Sequence, residues 1–205
     1  AVHILGQAYL QQKDISKAKN VYQAIVDQIP QDPLAHYQLG LIAEQDKKYQ
    51  EAIDHFEESL KLRPNFAQAL TQIAGIRINR GEAKQARDRV QQQIEASPDN
   101  PLYYNLLGQL WMQANQADKA EQAFKKSLAL NEQLEVSYMN LAALYRRTNR
   151  MDEAIKEYEQ LLAKNPDSVS AHMVLGIMAQ QGKDHAKAQE HYRNILKVDP
   201  KFAPA

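Results

Sequence analysis

Residues 101–134 read PLYYNLLGQLWMQANQADKAEQAFKKSLALNEQL, and this stretch decides the fold. With Pro101 as position 1, Tyr104, Leu107, Gly108 and Trp111 fall at positions 4, 7, 8 and 11. That is the i, i+3, i+4, i+7 stripe of an amphipathic helix. A second stripe follows at positions 20, 24, 27 and 28: Ala120, Phe124, Ser127 and Leu128. A short polar turn, Gln113-Ala114-Asn115-Gln116, separates the two. The segment therefore predicts a helix hairpin, with Asp118 as the expected N-cap of its second helix and Asp152 as the corresponding cap one unit later.

The same pattern recurs along the whole chain. Pro30, Pro64, Pro98, Pro166 and Pro200 are separated by 34, 34, 68 and 34 residues, and the missing member falls at Glu132. Position 20 is alanine in every unit: Ala18, Ala52, Ala86, Ala120, Ala154 and Ala188. Position 8 is always small, at Gly6, Gly40, Ala74, Gly108, Ala142 and Gly176. Position 24 is a ring at Tyr22, Phe56, Phe124, Tyr158 and Tyr192, with Val90 the exception. Glycine inside a helix costs about 1 kcal/mol relative to alanine, so a recurring one must be compensated. The expected compensation is close approach of the two helices, with the ring filling the space beside the glycine. Proline cannot continue the helical ladder and marks the end of each second helix. No hairpin of this size buries both stripes alone, so neighbours must stack.

The period of 34, the small residue at 8, the ring at 24 and the proline at 32 resemble the tetratricopeptide repeat family, from Val2 to Phe202. The resemblance implies an all-α, right-handed superhelical solenoid of six helix-turn-helix repeats. Their boundaries are expected near 1–32, 33–66, 67–100, 101–134, 135–168 and 169–202 of a single array. Residues 203–205 then open a further repeat helix, as expected of a piece of a longer array. The third repeat departs most, with Arg77, Val90 and Gln93 at positions 11, 24 and 27, and is expected to be the least stable.

Composition narrows the function. The chain carries 25 basic and 25 acidic residues, so it lacks the net positive charge that binding to phosphate backbones or anionic lipid requires. Nucleic acid is therefore not expected as a partner, and no apolar run reaches the length of a membrane span. There is no cysteine, which excludes disulfides and thiolate metal sites. Localisation is not encoded in the composition.

No glycine-rich phosphate loop, nucleophile elbow or H-E-x-x-H helix occurs, and neither a catalytic site nor a cofactor is expected. His36 and His172 share position 4 but lie four repeats apart, too far to hold one metal ion. Asp54, His55 and Glu58 form the tightest polar group, and they read as an exposed helix face rather than a metal site. Glu57-Glu58 and Glu157/Glu159 read as solvated surface in the same way.

Positions 5, 9, 12 and 13 lie opposite the stripe of each first helix. The family resemblance implies that this face lines a concave groove for other proteins or peptides. The expected groove residues are Tyr37, Asn105, Met139 and Met173 at position 5, and Leu41, Gln109 and Ile177 at position 9. Met112 and Arg146 follow at position 12, and Gln45, Asn79, Gln113, Arg147 and Gln181 at position 13. Three of the five methionines are there, and methionine adapts to irregular partners. The amides of position 13 offer donors and acceptors to an extended backbone. Position 5 and position 9 hold no Lys or Arg, so the carboxylate clamp of chaperone-binding relatives is not visible. The asparagine ladder of sugar-transferase relatives survives only at Asn140.

These features point to a non-catalytic protein-interaction scaffold. Two alternatives stay open: a recruiting arm of a larger enzyme such as a glycosyltransferase, and a structural repeat component that assembles with itself in a bacterial envelope or export complex. Separately, the apolar end around Tyr192, Leu196 and Phe202 is expected to seek a partner, either a neighbouring copy or another chain.

Overall fold

A computed structural model describes residues 2–202. Twelve α-helices and no strand occur among the described residues. They form two compact units, one ending at Asn100 and the other beginning at Pro101. The first contains α1 (Val2–Gln11), α2 (Ile15–Gln28), α3 (Pro33–Gln45), α4 (Tyr49–Leu62), α5 (Ala67–Asn79) and α6 (Ala83–Ala96). The second contains α7 (Pro101–Gln113), α8 (Ala117–Leu130), α9 (Glu135–Arg147), α10 (Met151–Lys164), α11 (Val169–Gln181) and α12 (His185–Val198). Numbered by repeat position, every first helix ends at 13 and every second helix runs from 17 to 30. Each helix packs on its hairpin partner, and successive hairpins pack within each unit.

Hairpin closure depends on position 8. A Cβ placed on Gly108 would lie 2.5 Å from the Phe124 ring, and one on Gly40 would lie 2.6 Å from Phe56. Gly6 and Gly176 meet Tyr22 and Tyr192 in the same way. Phe56 and Phe124 are fully buried. In the third hairpin both partners change together: Ala74 occupies the small position and Val90 the ring position, and both are buried.

The turn inside each hairpin has a feature that composition conceals. Lys13, Lys47, Gly81, Asn115, Asn149 and Lys183 all occupy position 15 and all have φ between 56° and 78°. Each ends a first helix with two backbone bonds. In the second hairpin Lys47 N–H reaches Glu44 O at 2.9 Å and Lys48 N–H reaches Ala43 O at 2.9 Å. The other hairpins repeat these bonds. This is a Schellman closure, whose left-handed residue is usually glycine. Position 16 caps the second helix, and at Asp14 and Asp184 the side chain accepts from the N–H three residues on. Asp118 and Asp152 are therefore not caps. They lie inside the first turns of α8 and α10, where a carboxylate complements the helix dipole.

The turn between hairpins is held by position 4. His36 Nε2 donates to Pro30 O at 3.1 Å, Tyr138 Oη to Glu132 O at 3.1 Å, and His172 Nε2 to Pro166 O at 3.0 Å. The carbonyl is captured even where Glu132 replaces the proline. The third hairpin replaces apolar packing by polar contacts. The buried Gln93 amide donates to Pro64 O at 2.7 Å, and Arg89 forks onto Glu57 of α4. Arg77 bonds Gln85 and Glu82 through Nη1, but its Nε is buried with no partner among the described residues.

Two outcomes follow for thermal melts. Gly108→Leu should cost roughly 1–3 kcal/mol by overpacking against Phe124, whereas Gln116→Leu, at an exposed cap that makes no side-chain bond, should stay within about 0.5 kcal/mol. Lys47→Gly should stabilise by about 0.5–1 kcal/mol, because glycine removes the left-handed strain at a smaller entropic cost. Gly81→Ala should do the opposite.

Candidate interaction face

In the first unit, Tyr37 is half-buried, its ring 5.6 Å from that of Phe56 and 4.8 Å from that of Phe66. Tyr37 therefore spends much of its surface joining the second and third hairpins. Leu41 is half-buried, and Gln45 and Asn79 are exposed.

The second unit holds the larger share of the expected face. Met139 of α9 and Met112 of α7 are half-buried against the core of the unit, Met173 and Gln109 are half-buried, and Ile177 is 41% exposed. Gln113 and Gln181 are exposed. The amides of Gln45, Asn79, Gln113 and Gln181 make no side-chain hydrogen bond among the described residues, so their donors and acceptors are available. Met112, Asn115, Ala117, Leu144, Arg147 and Thr148 line a cleft of about 200 Å³ between the fourth and fifth hairpins. Arg147 is exposed and donates to Asn115 Oδ1, while the exposed Arg146 has no ion-pair partner among the described residues.

Asn105 differs from the expectation. It is 7% exposed, and its Oδ1 accepts from Asn140 Nδ2 at 2.9 Å and from Ser137 Oγ at 3.3 Å. Ser137 also meets Ser127 Oγ at 2.8 Å, and Ser127 donates to Pro101 O at 2.7 Å. Asn105 thus belongs to a buried polar seam between the fourth and fifth hairpins, where unpaired polar atoms would be costly. Residue type and face alone do not reveal the seam, although Asn105 and Asn140 occupy adjacent positions in adjacent repeats.

The opposite, second-helix side is rich in ion pairs. Glu121 of α8 accepts from Arg150 at 2.6 Å, Lys125 at 2.6 Å and Tyr145 at 3.0 Å. Burial pushes its carboxyl up, but these three donors outweigh burial and hold it at about 2. Glu57 is only half-buried and paired with Arg89, and Glu157 is 9% exposed with its carboxyl pushed up by burial. Neither is the solvated residue that its neighbourhood in sequence suggests. Asp54, His55 and Glu58 each turn to a different partner: Gln50, His36 and Lys61. No group of three His, Asp or Glu side chains that could hold a metal occurs among the described residues, and no helix among them is long and apolar enough to cross a membrane.

Paired helices in a strict period of 34, closed by small-residue-to-ring contacts, define a tetratricopeptide repeat protein. The chain belongs to the family described as the cytochrome c-type biogenesis protein H TPR domain, which matches residues 87–204. Two further tetratricopeptide repeat families match residues 5–67 and 43–110. The photosystem I assembly protein Ycf3 of Synechococcus sp. (strain CC9311) is 33% identical over 79 residues, 37% of this chain. That match spans under half, 46%, of the relative's length. Among solved structures, Pseudomonas aeruginosa pilF is 19% identical with a TM-score of 0.66, covering 98% of this chain and 92% of its own. PilW, a type IV pilus biogenesis factor, is 16% identical with a TM-score of 0.68, covering 97% and 92%. At such identities these two likenesses concern the fold.

The Glu121 cluster gives a pH-dependent outcome. Its folded value lies below the ordinary 4.5, so its contribution to stability is complete above that value and is lost as pH falls toward 2. Glu121→Gln should lower the melting temperature at pH 7 by roughly 2–4 °C, equivalent to about 1 kcal/mol in a chain of this size. The gap to the unmodified protein should narrow as the pH falls through that window.

Proposed function

We propose that this chain is a non-catalytic protein-interaction module that receives a polypeptide segment during cytochrome c-type biogenesis. The observation that carries the reading is the first-helix face of the second unit, within the residues matched by that family. Half-buried methionines lie on the same face as unsatisfied amides and the two arginines of α9. Met139, Met173 and Ile177 supply apolar surface without a fixed shape, suited to segments of varied sequence. Gln113 and Gln181 can pair with the main chain of a partner. Arg146 and Arg147 favour a segment carrying a carboxylate. Binding of this kind needs no bond chemistry, and that accords with the scaffold reading.

A photo-reactive amino acid placed at Met139 in cells, followed by identification of the cross-linked protein, tests the proposal directly. The expected product contains a c-type cytochrome polypeptide or a protein of its maturation. Products unrelated to that process would overturn the assignment. With the cross-linked segment made as a peptide, Met139→Glu or the Arg146→Glu/Arg147→Glu pair should weaken binding about tenfold, equivalent to 1.4 kcal/mol. The paired changes Lys156→Glu and Arg193→Glu, exposed on α10 and α12, alter net charge equally and should leave affinity unchanged.

A further inference from the structure

Two of the six hairpins contain a histidine pair that the interaction face does not use. His36 of α3 and His55 of α4 meet through their Nδ1 atoms at 3.2 Å, and His172 of α11 and His191 of α12 meet in the same way at 3.0 Å. The rings lie 5.5 Å and 5.3 Å apart, tilted by 42° and 47°. Both pairs occupy repeat positions 4 and 23, one pair in each unit. In the fourth hairpin the same positions carry Tyr104 and Ala123, which form no such contact.

The geometry fixes the protons. A peptide carbonyl only accepts, so the Nε2 of His36 and of His172, bonded to Pro30 O and Pro166 O, must carry hydrogen. An Nδ1···Nδ1 hydrogen bond contains one hydrogen, donated by one ring and accepted by a lone pair of the other. In the neutral pair it therefore sits on His55 or His191. One added proton is accommodated at the remaining Nε2 of that ring with the bond intact. Two added protons put hydrogen on both facing atoms, and the contact becomes a repulsion between two cations. His36 and His172 are 8% and 6% exposed, so the less buried rings, His55 and His191, are the ones free to leave.

We propose that the two histidine pairs are proton-sensitive clasps, each holding the two helices of its hairpin together until both rings become cationic. The charged groups facing the first pair are Glu51 and Asp54 of α4 and Lys19 of α2. Those facing the second are Glu159 of α10 with Glu190 and Lys187 of α12. The carboxylates favour the first added proton, and the lysines oppose further charge. Burial, then the neighbouring ring, lowers the affinity of His55 and His191 for protons. An open or unfolded histidine takes up its proton near pH 6.5. The open state thus binds more protons below that value, and the clasp's contribution is present above it and lost as pH falls.

Amide hydrogen exchange on the full chain, corrected for intrinsic rates, tests this between about pH 7.5 and pH 5. Protection of α3–α4 and α11–α12 should fall at least tenfold relative to α7–α8, the value for one extra proton over one pH unit. In the H36Q/H172Q variant, whose amide keeps a donor for the proline carbonyl but does not titrate, the extra fall should shrink to the part that burial of His55 and His191 alone produces. An equal fall in α7–α8, or an undiminished fall in the variant, would overturn the proposal. Ring ¹⁵N spectra of the unmodified protein near pH 7.5 supply a measurement independent of variant folding. They should show Nε2–H for His36 and His172 and Nδ1–H for His55 and His191. Four Nε2–H rings would also reject the clasp.

Discussion

The contact between a side chain-free Cα and an aromatic ring is the constraint on which four of the six hairpins depend, and the third and fifth meet it with alanine in the small position. With the Phe124 ring 2.5 Å from where a Cβ on Gly108 would stand, α7 and α8 can close only because that atom is absent. The helix propensity lost at the glycine is a local cost of about 1 kcal/mol. The fully buried ring it admits recovers more, since burying such a side chain is worth roughly 1.5–3 kcal/mol. The alanine of position 20 is buried in every hairpin. Within each unit the next hairpin then stacks on the second helix before it.

Much of this frame was legible because it depends on residue size at fixed spacing. A small residue at 8, alanine at 20 and a ring at 24 recur in register, and steric constraints of that kind have few chemical solutions. The left-handed residue at position 15 was not legible. Glycine marks it only at Gly81, while Lys13, Lys47 and Lys183 conceal it behind a side chain that suggests nothing about φ. The backbone there is dictated by the closing bonds of the first helix, and the sequence tolerates the strain instead of announcing it. The cap was misplaced for a related reason. Asp118 and Asp152 are better-known capping residues than Gln116 or Arg150, yet position 16 is set by turn geometry, and only Asp14 and Asp184 use their carboxylates for it.

The candidate site was legible by face but not by partner. Helical periodicity placed Met139, Ile177, Gln113 and Arg146 on the side away from the hairpin core; Ile177, Gln113 and Arg146 are exposed, whereas Met139 is half-buried against the core of its unit. Periodicity within one helix could not show that Asn105 is tied to Ser137 and Asn140 of the next repeat, because that seam joins two helices far apart along the chain. The histidine pairs had a signal that comparison by repeat position would have exposed. His36 and His172 share one position, and their partners 19 residues on share another. Distance along the chain separates the like positions, whereas the chemistry lies between the unlike ones.

A repeat frame makes such pairs inexpensive to vary. In three hairpins positions 4 and 23 carry a polar pair, but the closing force resides at positions 8 and 24, so that pair can change without losing the fold. In one hairpin it is Tyr138 with the buried Glu157, and in two others it is histidine with histidine. The carbonyl at position 32 is captured by imidazole and phenol alike, so its requirement is for a donor of the right reach and not for a particular residue. What distinguishes one hairpin from another is therefore concentrated in groups that titrate or hydrogen-bond, while the geometry holding them in place stays constant. The proposed opening near neutral pH can consequently reside in the second and sixth hairpins without weakening the closure of the fourth.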